Sequence, residues 1–298
     1  MDRRQFLTRS SLAAVGAALP FQKLWAADNF AGTFNDLRRN VGYFTERGGT
    51  IGWLATDDVL VVVDSQFPET AKNCLAGLQK RTSHGLDLLI NTHHHGDHTG
   101  GNPVFKGKAK QMVAHRNVPK LMKQNSEDSE TDAGYPGTLF SDSWEMELGG
   151  ETIHVAHYGP AHTSGDAIIY FENANIAHMG DLVFNRMNPY TDRPAGASIH
   201  NWITVLETAM DEYPSDAIYI FGHGHPEFGV TGNRDDVAVM RDYLAAMVEY
   251  VEDGIAADRP KEEIVNLQKL DAFPQFQYAD WWTLSQNLEV VYAEAKEM

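Results

Sequence analysis

The sequence predicts a chain of the α/β (α+β) class folded as a four-layer αββα sandwich. Two observations favour this architecture. Residues 41–90 read as three strands, a helix and a further strand, and residues 143–252 read as several strands followed by helices. Since each half would form a sheet with an apolar face, the two sheets are expected to stack against each other, with helices covering their outer faces.

The first half alternates strands with turns and helices. Strands are expected at 43–45, 51–54, 60–64, 86–90 and 111–115, with helices over 68–78 and 117–123. The pair Gly48-Gly49 is typical of a hairpin turn between the first two strands. The run Leu60-Val61-Val62-Val63 is continuously apolar and mostly β-branched, which is typical of a strand covered on both faces. Pro68 is well suited to the first turn of the helix that follows.

The second half repeats this organisation. Strands are expected at 143–148, 152–158, 167–171, 175–179 and 217–221, with helices over 199–210 and 237–252. No repeat and no Pro/Gly/Ser-rich linker divides the chain. Residues 28–298 are therefore predicted to form a single domain whose tail, about 254–298, is mostly helical.

Residues 1–27 are predicted to be a twin-arginine export signal. The pair Arg3-Arg4 precedes a mildly apolar run from Ser11 to Leu19, and the segment ends in Trp25-Ala26-Ala27. The apolar run is too short to cross a bilayer as a helix, so no stable membrane insertion is expected. The pattern predicts passage through the twin-arginine export machinery and a periplasmic location.

The charge of the chain bears on its partners. The formal net charge is −17, and removal of residues 1–27 would make it more negative because that segment is basic. An acidic surface repels phosphate backbones, so nucleic acid is not an expected partner. A small-molecule substrate is the expected partner instead.

Four side chains of metal-ligand type fall within a few positions after the strand that ends at Ile90. His93 and His95 are two apart, so at the end of an extended strand they point the same way and can chelate one ion. Asp97 and His98 follow a glycine that lets the chain turn toward a second ion. Imidazole and carboxylate groups are ligands that zinc and similar ions accept.

Three further ligand candidates follow later strands. They are His162, Asp181 and His223, and the loops that carry them are expected to converge at one edge of the sandwich. A carboxylate such as Asp181 can bridge two cations. His225 competes with His223 for the last position, and the Gly-His-Gly context favours His223.

These motifs together resemble the metallo-β-lactamase superfamily of binuclear metallohydrolases, over roughly residues 40–230. The run His93-His94-His95-Gly96-Asp97-His98 and the later ligand candidates carry the resemblance. It implies the metallo-β-lactamase fold. It also implies two divalent ions, Zn²⁺ foremost with Fe or Mn as alternatives. In the implied assignment one ion is bound by His93, His95 and His162, the other by Asp97, His98 and His223, with Asp181 bridging.

The resemblance further implies hydrolysis by a metal-bridging hydroxide, with Asp97 as the catalytic residue that orients it. The expected function is an exported hydrolase of a small ester, thioester, lactone or amide. Asp181 stands where zinc β-lactamases of the superfamily generally carry Cys or Ser, which favours the hydroxyacylglutathione hydrolase and lactonase branches. β-Lactam hydrolysis, an iron-dependent sulfur dioxygenase and a non-catalytic metal-binding protein are the alternatives.

Substrate contacts are expected from the stretch 184–202, which follows Asp181. Arg186 or Arg193 would clamp a substrate carboxylate, or both would only neutralise the acidic surface. Tyr190 is the third candidate for substrate binding. The stretch 184–202 is a candidate to overhang the site, and the loop 124–137 would be a lid or only a solvated loop, so the sequence leaves open whether either closes over the site.

Overall fold

A computed structural model of the protein describes residues 32–125, 134–277 and 282–297. The predicted export signal, residues 1–27, lies outside the described residues, as does most of the predicted loop 124–137. No helix in the described ranges is long and apolar enough to cross a membrane.

Seven strands form the first sheet, in the order in which they occur along the chain. They are β1 (Thr33–Arg38), β2 (Val41–Thr45), β3 (Ile51–Ala55), β4 (Leu60–Val63), β5 (Leu88–Ile90), β6 (Gln111–His115) and β7 (Thr138–Phe140). Strands β1 to β4 pair antiparallel, and β4 to β7 pair parallel. The connections after β4, β5 and β6 contain the helices α1 (Pro68–Leu78), α2 (Gly96–Thr99), α3 (Asn102–Phe105) and α4 (Val118–Asn125).

Six strands form the second sheet, in the order β15-β13-β11-β10-β9-β8, and β12 and β14 form a separate parallel pair. The strands are β8 (Ser143–Leu148), β9 (Glu151–Ala156), β10 (Ile168–Phe171), β11 (Ile176–His178), β12 (Phe184–Asn185), β13 (Ile218–Ile220), β14 (His223–Gly224) and β15 (Thr231–Gly232). The helices are α5 (Ile199–Glu212), α6 (Arg234–Ala256), α7 (Lys261–Val265) and α8 (Leu284–Glu297), with short 3₁₀ helices at Gly180–Leu182, Arg193–Ala195 and Pro274–Gln277.

Strand β4 shows how the layers are built. Its residues Val61 and Val63 pack in the core between the two sheets, together with Phe171 of β10. Its residues Leu60 and Val62 belong to a second core on the other face, which α1 covers. Successive side chains of a strand point to opposite faces, so a continuous apolar run is what a strand between two cores requires.

The second sheet has the same construction. Tyr170 of β10 faces a third core that contains Trp202 of α5, Leu244 of α6 and Leu288 of α8. The layers are therefore helix, sheet, sheet and helix, and the predicted αββα sandwich is confirmed. Strand β1 was not predicted, because its sequence is largely polar and it lies at the edge of the first sheet with a mixed pattern of exposure.

Replacement of Phe171 tests the core between the sheets. Phe171 is fully buried there, and Phe171→Ala is expected to lower the free energy of unfolding by about 3–5 kcal/mol because it leaves a cavity. Urea unfolding followed by circular dichroism, with chelator in all samples, gives the value. Leu139→Ala is the control, since Leu139 is 47% exposed on β7. Equal effects of the two substitutions would contradict the two-sheet core.

Candidate metal centre

The loops that follow strands of both sheets bring the seven predicted ligands together. The residues His93, His95, Asp97 and His98 follow β5, whereas His162, Asp181 and His223 follow β9, β11 and β13. Two groups of donor atoms result, one of His93, His95, His162 and Asp181, and another of Asp97, His98 and His223. Ligands that are far apart in sequence thus meet at one edge of the sandwich.

The first group has the spacing of a tetrahedral metal site. His95 Nδ1 lies 3.1 Å from His93 Nε2 and 2.9 Å from His162 Nε2. Asp181 Oδ2 lies 3.8 Å from His93 Nε2 and 3.6 Å from His162 Nε2. Ligand atoms placed tetrahedrally at about 2.1 Å from a zinc ion lie roughly 3.4 Å apart. The four donor atoms therefore fit around one ion.

The second group lies on the other side of Asp181. Asp97 Oδ2 is 3.1 Å from His223 Nε2 and 3.7 Å from His98 Nε2, and the two Nε2 atoms are 3.5 Å apart. Asp181 Oδ1 is 2.9 Å from His98 Nε2, and its Oδ2 is 3.4 Å from His223 Nε2 and 3.6 Å from His162 Nε2. This carboxylate thus lies between the two groups, within reach of both.

Asp64, directly after β4, orients two histidines of the cluster. Its buried carboxylate accepts hydrogen bonds from His98 Nδ1 and from the Thr92 hydroxyl, each at 2.7 Å. Carboxylates only accept, so Nδ1 of His98 carries the proton and Nε2 is the coordinating nitrogen. Since the Thr92 hydroxyl donates to Asp64, His93 Nδ1 donates to that hydroxyl oxygen at 3.0 Å. This leaves the lone pair of His93 Nε2 facing the cluster.

Two residues of the loop before α5 orient the remaining histidines of the first group. His162 Nδ1 donates to the Tyr190 carbonyl at 2.6 Å, and His95 Nε2 donates to the Asp192 carboxylate at 2.8 Å. Because neither oxygen can donate, the opposite ring nitrogens carry lone pairs. All three histidines of the first group therefore present a lone pair to the same point.

The electrostatics of the cluster favour cations. Burial lowers the pKa of His93 and brings the pKa of His162 to about 3, so both rings are neutral, as coordination requires. Burial alone would also lower the pKa of His98, but the carboxylates of Asp181, Asp97 and Asp64 raise it well above its usual value. The excess of negative charge that holds a proton on His98 also stabilises divalent ions at these donors.

The buried Oδ1 of Asp181 also fits a cation partner. It lies 2.9 Å from His98 Nε2 but makes no hydrogen bond of regular geometry among the described residues. A buried carboxylate oxygen without a donor is costly, and coordination to a metal ion removes that cost. The residues present therefore fit a pair of divalent ions.

Two glycines make room for the cluster. A Cβ atom at Gly222 would overlap Asp181 Oδ1, and a Cβ atom at Gly49 would overlap the His98 ring. Both backbones approach the ligands too closely for any side chain.

A cavity of about 460 Å³ opens beside the cluster. Its described lining consists of His95, Gly96, Asp97, Asp181, Met187, Tyr190 and His223. Tyr190, a predicted candidate for substrate binding, thus lines this cavity. His223 joins the cluster, whereas the Nδ1 atom of His225 accepts a hydrogen bond from the backbone N–H of Glu227.

The two arginines predicted as substrate clamps are engaged elsewhere. Arg186 binds Asp236 at 2.5 Å, and Arg193 binds Glu297 of α8 at 2.5 Å. Neither guanidinium is among the described residues that line the cavity. These positions do not support the predicted clamp on a substrate carboxylate. The stretch 184–202, which was a candidate to overhang the site, is mostly buried and packed between the cavity and the C-terminal helices.

Asp64, Thr92 and Asp192 were not identified as orienting residues from the sequence. One feature of the sequence pointed to Asp64 as a site residue, because it is an acidic residue directly after an apolar strand. It also adopts a left-handed backbone conformation with φ of 63°, which is uncommon for residues other than glycine, although Asp and Asn adopt it more readily than most.

Residues 44–237 match the model of the metallo-beta-lactamase superfamily. The chain belongs to this superfamily. Among curated relatives, the 2,4-dinitroanisole O-demethylase subunit alpha of Nocardioides sp. is 28% identical over 43% of this chain and 39% of its own length. The metallo-beta-lactamase type 2 of Elizabethkingia meningoseptica is 22% identical over 57% of this chain and 67% of its own length.

A solved structure shows the same fold over most of the chain. The sec-alkylsulfatase Pisa1 from Pseudomonas sp. superposes with a TM-score of 0.69 and 16% identity, covering 88% of this chain and 50% of the sulfatase. The chain thus spans less than half of the demethylase subunit and half of the sulfatase. At this identity the likeness concerns the fold.

Replacement of Asp64 tests the orienting network. Asp64→Asn removes the charge that holds His98 and Thr92, and the affinity for zinc is expected to fall about 10- to 100-fold. Competition with a chromophoric chelator of known affinity measures it. Asp57→Asn, an exposed aspartate in the turn before β4, is the control and should bind like the unmodified protein. Unchanged affinity in Asp64→Asn would show that the network does not orient ligands.

Proposed function

We propose that this protein is a metal-dependent hydrolase that acts on a small ester, thioester, lactone or amide with two divalent ions, Zn²⁺ foremost and Fe or Mn as alternatives. The observation that carries the proposal is the pair of donor groups that share the Asp181 carboxylate. When bound, two such ions lower the pKa of a water molecule and polarise the oxygen of an electrophilic centre.

The chain's own residues supply orientation around that chemistry. Asp97 lines the cavity. Its carboxylate belongs to the second donor group and lies 3.1 Å from His223 Nε2. Burial raises the pKa of Asp97, but His98 and His223 outweigh this and lower it to about 2. The carboxylate is therefore ionised at neutral pH and can accept a hydrogen bond from a nucleophilic water. Met187 and Tyr190 form the less polar part of the wall, where the body of a substrate would pack.

We further propose that the substrate carries no carboxylate. No Lys or Arg lines the described part of the cavity, and residues 126–133 and 278–281 contain neither. A β-lactam or a glutathione thioester carries carboxylate groups for which this wall offers no cationic side chain, so that only the metal ions would be left to pair with them. One relative is named as the alpha subunit of a 2,4-dinitroanisole O-demethylase, and 2,4-dinitroanisole carries no carboxylate, which is consistent with this proposal. β-Lactam hydrolysis is the second candidate, since two relatives are metallo-beta-lactamases.

Export is a separate proposal that rests on residues 1–27 alone. We infer that the twin-arginine machinery carries the folded protein to the periplasm, because Arg3-Arg4 precedes an apolar run and an Ala-Ala end. Fractionation of cells that express the full chain, beside a chain with Arg3→Lys and Arg4→Lys, tests it. Retention of only the doubly substituted chain in the cytoplasm is expected, and equal distribution of both would contradict export by this route.

Metal removal and replacement of Asp97 test the hydrolase. Protein treated with chelator is expected to lose turnover of neutral esters, lactones and thioesters, and to regain it with about two equivalents of zinc, manganese or iron. Asp97→Asn is expected to lower kcat by about 10²-fold or more, because it weakens one donor group and the orientation of the nucleophile. A metal-free preparation with full turnover would contradict the proposal.

Matched substrate pairs test the preference for uncharged substrates. Each pair has the same scissile ester or lactone, with and without a carboxylate on the non-reacting part. The neutral member is expected to have a kcat/KM at least about tenfold higher, since an unpaired charge facing this wall loses hydration without gaining a partner. A preference for the carboxylate member, or efficient hydrolysis of a β-lactam, would overturn this part while leaving the hydrolase proposal intact.

A further inference from the structure

The segment of residues 189–192 holds two histidines of the first donor group. The Tyr190 carbonyl accepts a hydrogen bond from His162 Nδ1, and the Asp192 carboxylate accepts one from His95 Nε2. The segment is neither helix nor strand. Asp192 is held in part by local hydrogen bonds, since its backbone N–H donates to the His162 carbonyl and its Oδ1 accepts from the Ala195 N–H, each at 3.2 Å. Rotation of the Tyr190 carbonyl would release the His162 ring, so the contacts that hold residues 189–191 matter for the site.

The side chain of Asn287 in helix α8 forms hydrogen bonds with the residues on both sides of Tyr190. Its Nδ2 donates to the Pro189 carbonyl at 2.9 Å, and its Oδ1 accepts from the Thr191 hydroxyl at 2.8 Å. Asn287 is fully buried. Its Oδ1 also accepts a hydrogen bond from Trp282 Nε1 at 2.7 Å. A buried amide with three hydrogen bonds has one rigid orientation, and it imposes that orientation on the segment.

Two further contacts of the C-terminal part support the same loop. The Trp282 ring meets the Tyr190 ring edge to face, with centroids 4.6 Å apart. The buried Glu294 of α8 accepts hydrogen bonds from the backbone N–H groups of Ile199 and His200, at the start of α5. Helix α8 therefore forms hydrogen bonds both with residues 189–192 and with the start of α5.

We propose that Asn287 is a positioning residue of the metal centre, acting through residues 189–192 on His162 and His95. The inference rests on the proposed metal centre. It adds that the C-terminal helix, which lies beyond the residues matched by the superfamily model, is part of the machinery that binds the first ion. Asn287 touches neither group of donors, so its effect is expected on the affinity for one ion and not on the other.

Cobalt titration of the full chain tests the proposal, with the visible spectrum of Co²⁺ as the readout. Asn287→Leu and Thr191→Val are expected to weaken binding of one equivalent of Co²⁺ about tenfold or more and to change its spectrum, since partners behind a ligand typically carry that much affinity. Thr191→Ser keeps the hydroxyl and is expected to bind like the unmodified protein. Glu289→Gln, an exposed position of α8, is the control.

The variants distinguish positioning from a general loss of structure. Circular dichroism of each metal-free variant shows whether it is folded, and if Asn287→Leu is not folded, the Thr191→Val and Thr191→Ser pair decides. Two equivalents bound with unchanged affinity by folded Asn287→Leu or Thr191→Val would overturn the proposal. Equal weakening of both equivalents, or weakening in Glu289→Gln, would also overturn it. Failure of the unmodified protein to bind Co²⁺ would instead contradict the proposed metal centre.

Discussion

The Asp181 carboxylate is the group that joins the two halves of the candidate site. Its Oδ1 faces His98 of the second donor group, and its Oδ2 lies between His162 of the first group and His223 of the second. The carboxylate is buried, and the backbone at Gly222 approaches it closely. The loop that carries Asp181 and the loop that carries Gly222 meet because they follow β11 and β13, which are neighbouring parallel strands of one sheet. The fold thus places the acidic bridge, and the histidines surround it.

Around that bridge, the acceptors behind the histidines determine which nitrogen can coordinate. Asp64, Thr92, Tyr190 and Asp192 each accept a hydrogen bond from the ring nitrogen of a histidine that points away from the cluster. These acceptors come from both halves of the chain. A preorganised set of lone pairs is the costly part of a metal site, since a flexible set would lose entropy when it orders on binding. Helix α8 extends this support outward through Asn287, so the C-terminal tail contributes to the site without touching it.

Much of this arrangement was predictable from local patterns. The continuous run Leu60–Val63 indicated a strand between two apolar layers, and the dense spacing of His93, His95, Asp97 and His98 indicated a ligand cluster at a strand end. Other features depend on contacts distant in sequence. A lone aspartate such as Asp64 or Asp192 has the same sequence signature whether it faces water or a histidine. Likewise, nothing near Arg186 in sequence shows that Asp236, fifty residues later, neutralises it.

The most direct test of the central claim is anomalous diffraction from crystals of the zinc-loaded protein. Two anomalous peaks are expected, about 3.5–4 Å apart, one among His93, His95 and His162 and one among Asp97, His98 and His223, with the Asp181 carboxylate between them. A single peak, or two peaks that Asp181 does not join, would contradict the account.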